Sequence, residues 1–373
     1  MTPDVIVIGG GLHGCAAAMN LSARQCRVLV LERSAVARHA SGASAGGVRT
    51  LNRDLAEVPL SLIAARMWDD IESLVDDDCD YHAHGQLRVA ETEVELASLE
   101  ARRQQMLALG YSHEVVIDQA ELRRRAPTIG PQCVGALMVE TDGAADPYRT
   151  THAFRRKAER LGAQFIEGAC VTALSRQGTV WQVTTPAARY EAPTIVNCAG
   201  AWSDEIAAMI GDRAPLQTRC SMMMVSERVA PFLGPVVSAV NRKLSFKQTD
   251  DGTVVIGGGH QGRPDRAHES YQLDGRRLGE SATAVAAIFP TMRRVRIVRA
   301  WAGLEAQTPD HLPIIGPSPS APGFFHAFGF SGHGFQPAPA VGRALADLVI
   351  DGGTQMPIAP FALDRFATSG KAA

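Results

Sequence analysis

The chain opens with a short unbroken apolar run, Val5–Ile8. A small-residue turn follows, then "GCAAAMNLSARQ", whose apolar positions recur at helical spacing, then a second unbroken run, "RVLVLE". Apolar runs without polar alternation fit parallel strands buried on both faces, so a βαβ unit and an α/β domain are predicted. Downstream, an amphipathic helix is predicted over Ser61–Val75, and "GQLRVAETEVELASLEARRQQMLALG" reads as a strand and a charged helix. "ADPYRTTHAFRRKAERLGAQFIEGACVTAL" reads as helix then strand, and "YEAPTIVNCAGAWSDEIAAMIG" as buried strand, turn and helix. From Pro215 to Arg296 the pattern turns strand-like and more polar. After Trp301 come a Pro-rich loop, a strand at Gly323–Phe328 and a glycine-rich turn running into a last helix. There is no internal repeat. Residues 1–80, 145–210 and 297–373 are thus assigned to one α/β domain. Residues 81–144 and 211–296 are assigned to a second, built on an antiparallel sheet.

Composition adds limits. With 373 residues, 46% of them hydrophobic, the chain can bury one large core or two modest ones. A formal net charge of -2 gives no field that recruits nucleic acid or an acidic membrane, and no apolar run spans a bilayer. The first strand begins almost at once, leaving no room for a signal peptide, and the seven cysteines lack any C-x-x-C spacing. A cytoplasmic protein with reduced thiols and no metal cluster is expected. His82 and His84 are spaced for one face of a strand, but no further ligand is evident to make a metal site.

"VIVIGGGLHG" sets Gly9-x-Gly11-x-x-Gly14 between a strand and a helix, with Leu12 and His13 inside the turn. Gly9 permits the tight turn, Gly11 lets backbone approach a pyrophosphate, and Gly14 lets helix and strand pack closely. The helix N-terminus offers free N–H groups to the phosphates. Glu32 ends the second strand, where a carboxylate accepts bonds from ribose hydroxyls and repels a 2′-phosphate. An adenine dinucleotide is predicted; FAD and NAD both fit at this point. Next to Arg33, the loop "HASGASAGGVRTLNRD" brings small residues Ser41, Ser44, Ala45, Gly46 and Gly47, whose backbone can crowd a flat ligand, and Arg49, which can pair with an anion.

Four blocks in order, "VIVIGGGLHG", "NCAGAWS", "WAGLEAQTPDHLPIIGP" and "GFSGHGF", resemble the FAD-dependent D-amino-acid oxidase superfamily, with its glycine-oxidase-like and sarcosine-oxidase-like amine oxidoreductases. The resemblance spans nearly the whole chain, and the last two blocks are its most specific part. It implies a Rossmann-like FAD-binding domain interleaved with an α+β substrate domain, of the glutathione-reductase type. It further implies non-covalent FAD, with the adenine at Val171, in the strand "GACVTAL". The flavin–ribityl region would lie near Ala199, Gly200 and Trp202, with Gly303 close by. The turn Gly329, Phe330, Ser331, Gly332, His333, Gly334, Phe335 and Gln336 would meet the flavin pyrimidine, where backbone N–H groups stabilise the reduced ring's negative charge.

The implied reaction oxidises a primary or secondary amine of a small or N-substituted amino acid, of the glycine, sarcosine, proline or hydroxyproline kind. Hydride passes to flavin N5 and the imine formed can hydrolyse. An alternative is the flavin-bearing subunit of an opine- or hydroxyproline-type dehydrogenase that passes electrons to partner subunits. The chain departs from its relatives where they anchor a substrate carboxylate: Glu305 stands in place of an Arg, and Gln336 in place of a Lys. Substrate-site candidates are therefore Arg49, Glu305, Gln336, His333, Trp301 and Arg242, with Arg53 and Arg219 as further arginines. Glu305 fits an ammonium or a cationic side chain, or an ion pair with a nearby Arg.

Overall fold

The computed structural model describes residues 2–367. The last residues of the 297–373 segment lie outside this range, as does Met1. A six-stranded sheet runs in the order Ile314–Pro317, Phe324–Phe328, Thr194–Asn197, Val5–Ile8, Val28–Leu31, Gln164–Ile166. All its pairs are parallel except the first, where Ile314–Pro317 returns antiparallel beside Phe324–Phe328. Its strands are apolar on both faces because both are covered. Val5, Val7, Val28 and Val30 pack against helices Leu12–Ala23, Pro147–Arg160 and Ala338–Asp351. Ile6, Ile8, Leu29 and Leu31 pack against Trp181 and Val183 of a three-stranded antiparallel meander.

The second sheet has eight strands, in the order Ile297–Gln307, Gln217–Ser226, Val254–Gly257, Ser245–Gln248, Val236–Ala239, Gln86–Ala90, Gly135–Val139, Val115–Asp118. It is antiparallel except for Val236–Ala239 on Gln86–Ala90. One face is apolar: Leu87, Val237, Phe246, Val254 and Ile256 form a core with Val285, Ile288 and Phe289. Val285 and Ile288 belong to the helix Gly275–Ile288, capped by Asp274, whose side chain accepts from Arg277 N. The strand-like reading of 215–296 missed this helix, because alanines and a serine line much of its inner side and blur the apolar period.

Three further expectations change. The strand Ile297–Gln307 pairs along its length with Gln217–Ser226, so sheet membership changes after Gln307 and not at residue 297. The helix expected over Ser61–Val75 is two helices, Val58–Asp69 and Ile71–Val75, meeting at Asp70. Val171 precedes the strand Ala173–Gln177 and is not part of it.

Candidate functional site

A long cavity lies against the six-stranded sheet. Gly9, Gly11, Leu12, His13 and Glu32 line it at the first crossover, with Val171, Cys198, and the turn residues Gly329–Gly332, Gly334 and Phe335. Gly9 has a positive φ of 106°, and a Cβ there would meet Cys198 O at 2.4 Å. A Cβ on Gly14 would meet Gly9 O at 2.0 Å. Both glycines are therefore demanded by close approach of backbone to backbone. Ser41 Oγ accepts from Leu12 N at 2.9 Å, and Ser44 Oγ accepts from Gly46 N at 3.0 Å. Glu32 accepts from Gly10 N (2.7 Å) and Ser34 N (2.9 Å), and burial raises its carboxyl against these bonds. Arg33 stacks on Trp202, its guanidinium carbon 4.3 Å from the ring centroid.

The two ends of the chain meet here. The His13 ring lies flat on Phe330, with centroids 3.6 Å apart, and burial pushes its pKa down to about 3, so it stays neutral. Helix Leu12–Ala23 packs so tightly on Ala338–Asp351 that a Cβ on Gly342 would meet Ala16 backbone at 2.7 Å.

The cavity lining includes most of the predicted cofactor residues: Ala199, Gly200, Trp202, Phe330, Ser331, Gly332, Gly334 and Phe335 all border it. Gly14, Ala45, Gly46, Gly47, Gly303, His333 and Gln336 do not border it. Gly14 acts through packing. Gly47 pairs with Ala144 in a two-stranded sheet, and Gly303 makes room for His39 and Ala43. His39, Ala40, Ala169 and Ile206 also line the cavity, although nothing in the sequence marked them.

Several substrate candidates prove to be structural. Gln336 is buried, donates Nε2 to Ser61 O (2.8 Å) and accepts from Arg53 Nη2 (3.3 Å), so it braces the turn instead of facing a ligand. Arg53 donates to His333 O (3.0 Å) and Arg49 O (2.9 Å) and lies 3.7 Å from Glu57. His333 faces Glu57 at 3.5 Å. Arg242 is ion-paired with Glu91 at 2.5 Å, away from the lining. Trp301 donates its Nε1 to Ala43 O at 3.0 Å, tying the eight-stranded sheet to the first domain. Arg49 binds Leu51 O and Asn52 O through Nη1, leaving Nε and Nη2 without a partner among the described residues. The backbone N–H groups of Thr50 and Leu51 on its loop are held by buried Asp142.

The pair His82 and His84 does gain a neighbour. Asp250, far along the chain, brings a carboxylate so that the three ligand atoms lie within 4.8 Å of one another. His82 bridges backbone-to-backbone with Ala144 and lies between Asp80 (3.3 Å) and Asp250 (3.1 Å).

Lys247 shares a sheet face with Val255, its register partner, and donates to Ala145 O at 3.2 Å. Burial pushes its ammonium down to about 8. Its proton is held less well in the fold than in the open chain, where it titrates near 10.4, so this group's contribution to stability rises with pH across that window. Lys247→Met is expected to raise unfolding stability at pH 7 by about 2 kcal/mol, less at pH 10. Urea unfolding at the two pH values checks this; an equal change at both would contradict it.

Residues 4–348 match the DAO family, FAD dependent oxidoreductases. The chain belongs to this family. It is similar to sarcosine oxidase subunit beta of Rhizobium meliloti (strain 1021), 26% identical over 373 residues, covering 97% of this chain and 88% of that protein. Among solved structures it resembles L-proline dehydrogenase from P. horikoshii, with a TM-score of 0.92, 26% identity, and coverage of 99% and 98% of the two chains. The fold also matches glycine oxidase from Geobacillus kaustophilus, with a TM-score of 0.90, 23% identity and coverage of 98% and 99%. The cavity of this DAO-family oxidoreductase fits FAD: it joins both glycine-rich blocks and is lined by the buried Glu32 carboxylate and by the glycine-rich turn at Gly329–Gly332, Gly334 and Phe335. Among the described residues, no helix is long and apolar enough to cross a membrane.

Proposed function

We propose that this protein oxidises the primary or secondary amine of a small amino acid or N-substituted amino acid. The observation that carries the reading is the single cavity in which the dinucleotide turn and the Gly329–Phe335 clamp meet, walled at the clamp by the substrate sheet at Leu304–Ala306. The relatives named above act on sarcosine, proline and glycine, all of which carry an amine next to a carboxylate. FAD supplies the two-electron acceptor that a C–H bond next to nitrogen requires.

The chain's own residues do the rest. Gly9, Gly11 and the start of helix Leu12–Ala23 would hold the pyrophosphate, Glu32 the ribose, and Val171 the adenine. The N–H groups of Gly334 and Phe335, at the end of the clamp, would face the ring's developing charge. Arg49 does not border the cavity, but its unpartnered Nε and Nη2 make it the first candidate for the substrate carboxylate when a ligand fills the site. Burial pushes the thiol of Cys198, in the lining, up to about 12, so it is no nucleophile.

A second reading, in which this chain is one subunit of a larger dehydrogenase, draws support from its likeness to a protein named as a subunit. One experiment separates the readings. The purified holoprotein is mixed anaerobically with D- and L-amino acids, N-methyl and N-carboxyalkyl amines, and cyclic imino acids, and flavin absorbance is followed. At least one amine is expected to bleach the flavin. Absence of bleaching by every amine would reject the proposal. Rapid reoxidation by oxygen in the isolated chain would reject the need for partner subunits.

A further inference from the structure

Glu305 is a carboxyl in the cavity wall that forms no ion pair among the described residues. Strand alternation puts it on the same sheet face as Trp301 and Gly303, the face that meets His39 and Ala43. Its Oε1 accepts from Ser221 Oγ, and the Gly332 N–H also supports it. Gln261 Nε2 donates to Ser221 Oγ (2.9 Å) while Gln261 Oε1 accepts from Cys220 N (2.8 Å), so the Ser221 hydroxyl proton is left to point at Glu305. Arg219 stands opposite in register but donates its Nε to Gln307. Among the described residues, no Lys, Arg or His forms an ion pair with Glu305.

The other buried acids are all provided for. Glu32 and Asp142 are each held by two backbone N–H groups, and Glu57 faces Arg53 and His333. The exposed Glu205, also in the lining, pairs with Arg266. Glu305 is half-buried while the cavity is open; once a ligand seals it from water, a carboxylate without a cation is costly unless that ligand brings one. Burial accordingly raises the Glu305 carboxyl, outweighing Ser221, Arg219 and Gly332.

We propose that Glu305 binds the substrate's amino nitrogen and takes up its extra proton, so that the amine is neutral when it is oxidised. The step balances: an N–H bond of the ammonium breaks, an O–H bond forms on Glu305, and the bonding pair stays on nitrogen as the lone pair a C=N bond needs. The wall at Glu305 therefore selects a cationic nitrogen and repels a carboxylate, which turns the acid end of the substrate away from it. This role rests on the amine-oxidation reading.

The test uses holoprotein, anaerobic, wild type against Glu305→Gln, with flavin absorbance as readout. The probes are sarcosine and methoxyacetate, which has the same skeleton with oxygen in place of the amine. Glu305→Gln is expected to weaken sarcosine binding about ten- to hundredfold and leave methoxyacetate within about twofold. The pH profile carries the sign. In wild type, sarcosine binding weakens as pH falls through the raised Glu305 pKa, because a protonated carboxyl no longer attracts a cation; in the Gln variant this acid limb is absent. Equal loss of both probes, or an unchanged acid limb, would overturn the proposal. If the Gln variant loses its flavin, Glu305→Asp is read instead: it must keep the acid limb while binding sarcosine more weakly. Wild-type protein that binds methoxyacetate but not sarcosine also overturns the role of Glu305. Wild-type protein that no amine bleaches overturns the amine-oxidation reading itself.

Discussion

Gly14→Ala is expected to give a colourless protein. The added Cβ would sit 2.0 Å from Gly9 O, against 3.4 Å for the onset of ordinary contact, and both partners are backbone, so no side chain can swing aside. Helix Leu12–Ala23 must move back from the strand by more than an ångström, and it carries with it the N–H groups that face the phosphates. Overpacking of this kind costs about 1–3 kcal/mol of stability. The larger effect falls on the cofactor, with FAD affinity expected to drop about a hundredfold or more, equivalent to roughly 3 kcal/mol of lost binding. Fluorescence titration of apoprotein with FAD measures it. Gly47→Ala is the control: nothing lies within 4 Å of its added Cβ, and flavin content should hold. Equal flavin retention in both variants would remove Gly14 from the cradle's geometry.

Arg53→Ala should be the most destabilising change near the clamp. The guanidinium is buried, braces His333 O and Gln336 Oε1, and lies beside Glu57. Its loss strands a buried carboxylate and frees the turn, at a cost of about 3–5 kcal/mol. The pH sign follows from Glu57. In the native protein its pKa is lowered, despite burial, by the His333 bond and the Arg53 charge, so its stabilising share is present at neutral pH and lost as pH falls. In the variant Arg53 no longer opposes burial, so protonation of Glu57 relieves the strain. The deficit relative to wild type should therefore narrow between pH 7 and about pH 4.5. Arg53→Met combined with Glu57→Gln should recover part of the loss, since it removes both charges together. A deficit that is constant with pH, or a double variant no better than Arg53→Ala, would show that the ion pair is not the source.

The sequence was readable where the meaning is local. Val5–Ile8, the glycine spacing and Glu32 sit within one βαβ unit, and each acts through backbone geometry that the residue type itself dictates. "GFSGHGF" was likewise placed on the cavity. The reading failed where direction depends on distant neighbours. Gln336 follows the last Phe of the clamp, but Ser61 and Arg53 draw its side chain inward. Arg242 is a free-looking cation until the fold brings Glu91 to it. Asp250 joins His82 and His84 only through a hairpin tip that no spacing rule anticipates. Glu305 was visible as a departure, but that it forms no ion pair emerged only when Arg219, opposite in register, proved to donate to Gln307.

The stack of His13 on Phe330 carries a consequence for biosynthesis. The two walls are made far apart in time, His13 long before Phe330. Phe324–Phe328 and Ala338–Asp351 must both dock on structure laid down much earlier. A nascent chain therefore has no complete cradle, whatever the free flavin concentration. Cofactor capture must follow synthesis of the second wall, and until then the apolar face of Leu12–Ala23 that receives Ala338–Asp351 stays uncovered, a window in which chaperone binding or aggregation competes with holoenzyme formation.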